Sequence, residues 1–225
     1  MELLRPQTIS SKNSIIVVFT VPAEIEDPVT GVTMTKSVKT ISMGTIGVNP
    51  KPVKAHLISG TDPRVKNYEA MQGLMNNCIN NAEDIKSSIN SICMVANAAV
   101  GEEERAELMK KDFMWLKQWF MDDIRGSKLY KHFEHYDSTK KLKDFSRGFH
   151  DFITDRNKYT HGKLCFVSPE FHFAIEYIDE KTKKKTFAHI NADVFKSYNN
   201  IYKQIIQFIS EYHNVKQQMR KGVIK

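Results

Sequence analysis

Thr61-Asp62-Pro63 opens a run of helical period that continues to about Ala99, and no other feature limits the possible folds of this chain as much. A capping side chain before a proline at the first helical position is helix-start chemistry. From there Val65, Tyr68, Met71, Met75, Cys78, Ala82, Ile85, Ile89, Ile92 and Ala96 recur every three or four residues, without a further proline and with one interior glycine. That spacing sets them on one face of a helix roughly 50 Å long. A single apolar stripe of this length needs other helices along it, which points to a bundle rather than a compact α/β fold.

The later chain supplies those helices. Gly101 breaks the first, and Glu102-Glu103-Glu104 places negative charge at the positive end of the next. Its stripe of Met109, Phe113, Leu116, Phe120 and Ile124, flanked by Trp115 and Trp119, predicts one helix from about 102 to Gly126 with its aromatic face in a core. Ser138 or Thr139 then caps a helix to about Tyr159. Asn191 and Asp193 open a last one, with Phe195, Tyr198, Tyr202, Ile205, Ile209 and Tyr212 on its buried side and a polar, basic tail from Lys216.

Two segments read as β-structure. Ser14 to Val21 is a β-branched run, Asp27 to Gly31 has turn chemistry, and Val32 to Ile41 alternates, which together predict a hairpin. Gly44 to Gly60, rich in Gly and Pro, reads as an irregular connector. A lone hairpin is marginal, so it must lie on the helical body, pair with another strand or reach a partner. After Gly162 the period changes to two across Leu164 to Ile190, predicting a second hairpin or three short strands. The expected fold is mainly α: residues 1–60 as a β-hairpin and irregular arm, and residues 61–225 as a helical bundle with a β-hairpin inserted at about 164–190.

Composition bounds the function. Apolar content of 41% and charged content of 26% suit a globular protein. No apolar run approaches the ~20 residues that span a bilayer. Met1-Glu2-Leu3-Leu4-Arg5-Pro6 lacks the plan of a signal peptide, so a soluble, cytoplasmic protein with no membrane partner is expected. Cys78, Cys93 and Cys165 are odd in number and widely spaced, which argues against disulfides and zinc knuckles and for buried thiols. His132 and His135 beside Glu134 lack a third ligand at metal-site spacing, so no metal and no cofactor is expected. There is no phosphate loop, no Gly-x-Gly-x-x-Gly and no Gly-x-Ser-x-Gly.

The net charge of +7 is uneven. From Thr139 onward 17 Lys and Arg stand against 9 Asp and Glu, while the rest of the chain has 16 against 17. A basic field of this kind attracts polyanions.

Within that basic part lies Arg156-Asn157-Lys158-Tyr159-Thr160-His161-Gly162. Leu142, Phe145, Phe149, Phe152, Arg156 and Tyr159 share a helix face, so Arg156 interrupts an apolar stripe. A guanidinium keeps its charge there and needs an anion, a wet cleft or a second subunit. On a straight helix Arg156 and His161 lie ~140° apart, so their convergence would require unwinding toward Gly162.

This stretch resembles the Arg-Asn-x-x-x-His signature of the HEPN superfamily, helical-bundle proteins many of which are metal-independent ribonucleases in toxin–antitoxin, abortive-infection and CRISPR-associated systems. The resemblance covers the motif and the general pattern of long helices. It implies an endoribonuclease acting through 2′-OH attack, with Arg156, Asn157 and His161 catalytic and with Lys158 and Tyr159 contacting substrate. It further implies a homodimer with the motifs near the two-fold axis, RNA as partner, and a cognate antitoxin where the protein is a toxin or antiphage-defence effector. The alternative is a non-catalytic module of the same fold that binds RNA, a nucleotide or a protein.

Overall fold

The computed structural model describes residues 7–8, 14–26, 33–45, 53–57, 63–168 and 172–224, the four segments before residue 63 as backbone path only. The chain is mainly helical. It contains α1 (Pro63–Ala96), α2 (Glu102–Met109), α3 (Phe113–Gly126), a 3-10 turn at Leu129–His132, α4 (Thr139–His161) and α5 (Ala192–Arg220). Its strands are β1 (Gln7–Thr8), β2 (Ser14–Glu26), β3 (Thr33–Thr45), β4 (Val53–Leu57), β5 (Lys163–Ser168), β6 (His172–Ile178) and β7 (Lys185–His189). Two compact units result: Asn77–Thr160 with Asp193–Lys225, and Pro6–Asn76 with His161–Ala192.

The first unit is helical, and its core is aromatic because α4 and α5 carry Phe or Tyr at three-and-four spacing and α3 carries Phe113 and Phe120 two turns apart. Phe208 of α5 stacks on Phe145 of α4 with ring centres 3.8 Å apart, and meets Phe120, Phe133 and Tyr136 edge-on. Phe152 stacks on Tyr198 at 4.1 Å. Such pairs add to the burial of 150–250 Å² that each ring brings. Ser138 caps α4, its Oγ accepting from the Lys141 N–H at 3.4 Å.

The expected helix from 102 to 126 is two helices. Asp112 ends the continuity: its Oδ1 accepts from the Trp115 N–H at 2.7 Å and caps α3. An aspartate at such a position competes for backbone donors that a continuous helix would use internally. α2 has no buried residue, whereas α3 buries Phe113, Leu116, Phe120, Met121 and Ile124. α5 runs on to Arg220, into the segment expected as a polar tail, because Val215 is still buried.

The second unit holds an antiparallel sheet in the order β1-β7-β6-β5-β2-β3-β4. The hairpin expected near 14–41 is β2 with β3, in register from Ser14↔Thr45 to Glu26↔Thr33. Of the three fates open to it, pairing with another strand is realised through Ser14↔Ser168, Ile15↔Val167 and Ile16↔Phe166 on β5. The connector expected to be irregular contains β4, paired to β3 across a register shift between Ile41 and Met43. Adjacent residues Leu164 and Cys165, Ala174 and Ile175, and Phe187 and Ala188 are all buried. Neighbours on a strand point to opposite faces, so the middle of β5–β6–β7 is covered on both. No helix among the described residues is long and apolar enough to cross a membrane.

Candidate functional site

Arg156 enters the site from α4, on the face that carries Phe152 and Tyr159. Its side chain is 16% exposed, and it meets its anion within the same unit: Nη2 donates to Oε1 of Glu83 on α1. Nη1 donates to Asn157 Oδ1 at 3.1 Å. Nε is buried with no hydrogen-bond partner among the described residues. A buried donor left unmade costs roughly 1–3 kcal/mol, so its retention calls for an explanation.

Around the guanidinium three helices contribute polar groups. Lys158 Nζ pairs with Asp155 Oδ1 at 2.7 Å, and Asp155 is fully buried. Asn199 of α5 accepts from Asn81 Nδ2 of α1 at 3.0 Å and from the Cys78 thiol at 3.8 Å. The Tyr198 hydroxyl donates to the Phe152 carbonyl at 3.2 Å. Burial first, and then Tyr159, Cys78 and Asp155, push the Tyr198 phenol well above its ordinary range, while Arg156 opposes that shift. The result is a polar cluster inside an otherwise apolar bundle.

The sequence candidates divide within this geometry. Arg156 and Asn157 are joined by a hydrogen bond. Lys158 is 18% exposed and committed to Asp155. Tyr159 is 1% exposed, its ring packed against Phe195 and Tyr198, so it presents no face on which a base can stack. His161 is exposed and is the last residue of α4. The helix does not unwind before His161, as convergence with Arg156 would require.

Sequence reasoning missed Glu83 and Asp155. Asp155 was readable, lying three residues after Phe152 and four before Tyr159 on the apolar face. Nothing distinguishes Glu83 from its neighbour Asp84 until α1 and α4 are brought together. The three thiols are buried and free. Burial pushes Cys78 and Cys165 up to about 12, which suits inert packing rather than nucleophilic chemistry.

His135, weighed as a metal ligand, instead shares Glu211, its Nδ1 2.7 Å from Oε1. No group of three or more His, Cys, Asp or Glu among the described residues has metal-binding geometry. Comparison with protein-family models, characterised proteins and solved structures finds no match.

Proposed function

We propose that the chain is a metal-independent endoribonuclease of HEPN type, a cytoplasmic enzyme acting as a toxin or antiphage-defence effector. One observation carries the reading. Arg156 is held half-buried in a polar cluster while its Nε, one end of the edge that grips phosphate bidentately, is left without a partner among the described residues. A phosphate oxygen supplies what Nε lacks, and the other oxygen takes the place of Glu83 on Nη2.

In this mechanism Arg156 holds the scissile phosphate and offsets charge on its oxygens as the fifth ligand arrives. Asn157 keeps the guanidinium plane oriented through Nη1. His161, exposed at the helix end, exchanges protons with the reacting oxygens once the last turn of α4 unwinds toward Gly162 on RNA binding. The 2′-oxygen forms a bond to phosphorus as its proton leaves, and the bond to the 5′-oxygen breaks as that oxygen gains a proton. The products are a 2′,3′-cyclic phosphate and a 5′-hydroxyl. Lys158 contacts substrate in this reading only by leaving Asp155, and a homodimer and a cognate antitoxin remain part of the reading through the resemblance.

The Glu83 ion pair also favours a second reading, in which the same cluster is a non-catalytic binding module whose arginine is already neutralised. Incubation with single-stranded RNA in EDTA separates the two. Cleavage to cyclic-phosphate ends, with the matching DNA left intact, supports the enzyme. RNA bound and recovered whole supports the module.

A further inference from the structure

Between the carboxy-terminal halves of α1 and α5 lies a groove of about 560 Å³. Its apolar lining includes Ile92, Val95, Ile209 and Tyr212, and its α5 wall carries His213, Lys216 and Arg220. Val95 is 64% exposed. Asp123 holds Lys216 Nζ at 3.2 Å, whereas Arg220 makes no ion pair among the described residues, so the wall keeps a surplus of positive charge.

The same unit contains a helix that lacks a surface. α2 is eight residues long and buries none of them, with Met109 65% exposed. An isolated helix of that length is marginal in water, and its acidic first turn supplies only part of the missing stability. At 100° per residue Ala106 and Met109 share one face, and Glu103 and Glu107 form an adjacent acidic stripe.

We propose that the α1–α5 groove receives α2 of a second copy of this chain, whose own groove receives α2 in return, giving a two-fold dimer. The charges are complementary, acids at 103 and 107 facing cations at 216 and 220 with the same four-residue spacing, Glu107 exchanging its exposed pair with Lys110 for the contact. The lengths agree too: Ser88 to Ala96 covers about 12 Å of helix, as α2 does. Each chain carries both halves of the contact, so a two-fold arrangement satisfies both at once, which is the isologous form proposed here. Val95 lies about 18 Å along α1 from Glu83, so the contact leaves the Arg156 cluster outside it. This two-fold takes the place of the motif-centred one that the family resemblance implies, and it stands or falls independently of RNA cleavage.

Light scattering on the full chain at micromolar concentration tests the contact. The parent is expected at twice the chain mass. Glu103→Lys with Glu107→Lys, and separately His213→Glu with Arg220→Glu, are expected to weaken association by roughly 100-fold or more through like-charge contacts. All four positions are exposed, and matching far-UV circular dichroism checks that each variant folds. Mixing the two variants restores complementarity at both contacts and is expected to restore a dimer. A monomeric parent, a dimer untouched by either reversal, or folded variants that fail to pair on mixing would each overturn the proposal.

Discussion

Arg156 is the residue at which the sequence and the structure make the sharpest joint statement. Its place in an apolar stripe calls for an anion, a wet cleft or a second subunit, and Glu83, 43% exposed, supplies the anion. If phosphate must displace this carboxylate, Glu83→Gln should tighten RNA binding by about 5-fold, the worth of one partly exposed charge at ~1 kcal/mol. Filter binding with an uncleavable 2′-deoxy-substituted RNA measures it, and weaker binding by a folded variant would remove Glu83 as a competitor. Lys117 offers a second prediction at this scale. It is 6% exposed, and burial first, then Arg125, lowers its pKa, with Asp122 opposing. Between that lowered value and the ordinary 10.5 the unfolded chain binds more protons, so stability rises with pH through this window. Lys117→Met should remove the rise and stabilise the fold at neutral pH by on the order of 1 kcal/mol, seen in urea melts at two pH values.

At the scale of elements, capping chemistry decides more than apolar period. Met109 and Phe113 continue one stripe across a break, and the stripe alone reads as one helix; the Asp112 carboxylate on the Trp115 N–H makes it two. Asp112→Ala should cost about 1 kcal/mol, visible as a lower urea midpoint with an unchanged slope. No loss would mean that α3 is positioned by Phe113 and Leu116 alone. β4 escaped notice for the opposite reason. Val53–Leu57 lies among Gly and Pro that mark turns, and its strand character comes from pairing with β3, which is tertiary information. The strands from Leu164 to His189 were legible because their period of two changes abruptly from the preceding period of 3.6.

For the whole molecule the mainly helical architecture followed from stripes whose members, from Cys78 to Ile92 and from Phe195 to Tyr212, are largely buried. The order of the sheet did not, since three residue pairs joining β2 to β5 link segments some 150 residues apart in sequence. The candidate site was half legible for the same reason: Arg156, Asn157 and His161 are local, whereas Glu83 and Asn199 reach the cluster only through helix packing. That packing centres on Phe208, which touches rings from α3, α4 and the segment between them. Phe208→Ala should cost about 3–5 kcal/mol and lower the thermal midpoint accordingly, while a loss below ~1 kcal/mol would show that the core collapses around the gap.

The functional account rests on Arg156 and His161 acting on a phosphodiester whose nucleophile belongs to the RNA. Single-turnover cleavage of single-stranded RNA in EDTA by the parent, Arg156→Ala and His161→Ala tests it most directly. The account expects cleavage by the parent and a rate lower by roughly 10² to 10⁴ in each variant, with thermal midpoints close to the parent's for His161→Ala. A parent that leaves RNA uncut, or a folded His161→Ala that cuts at the parental rate, would contradict it.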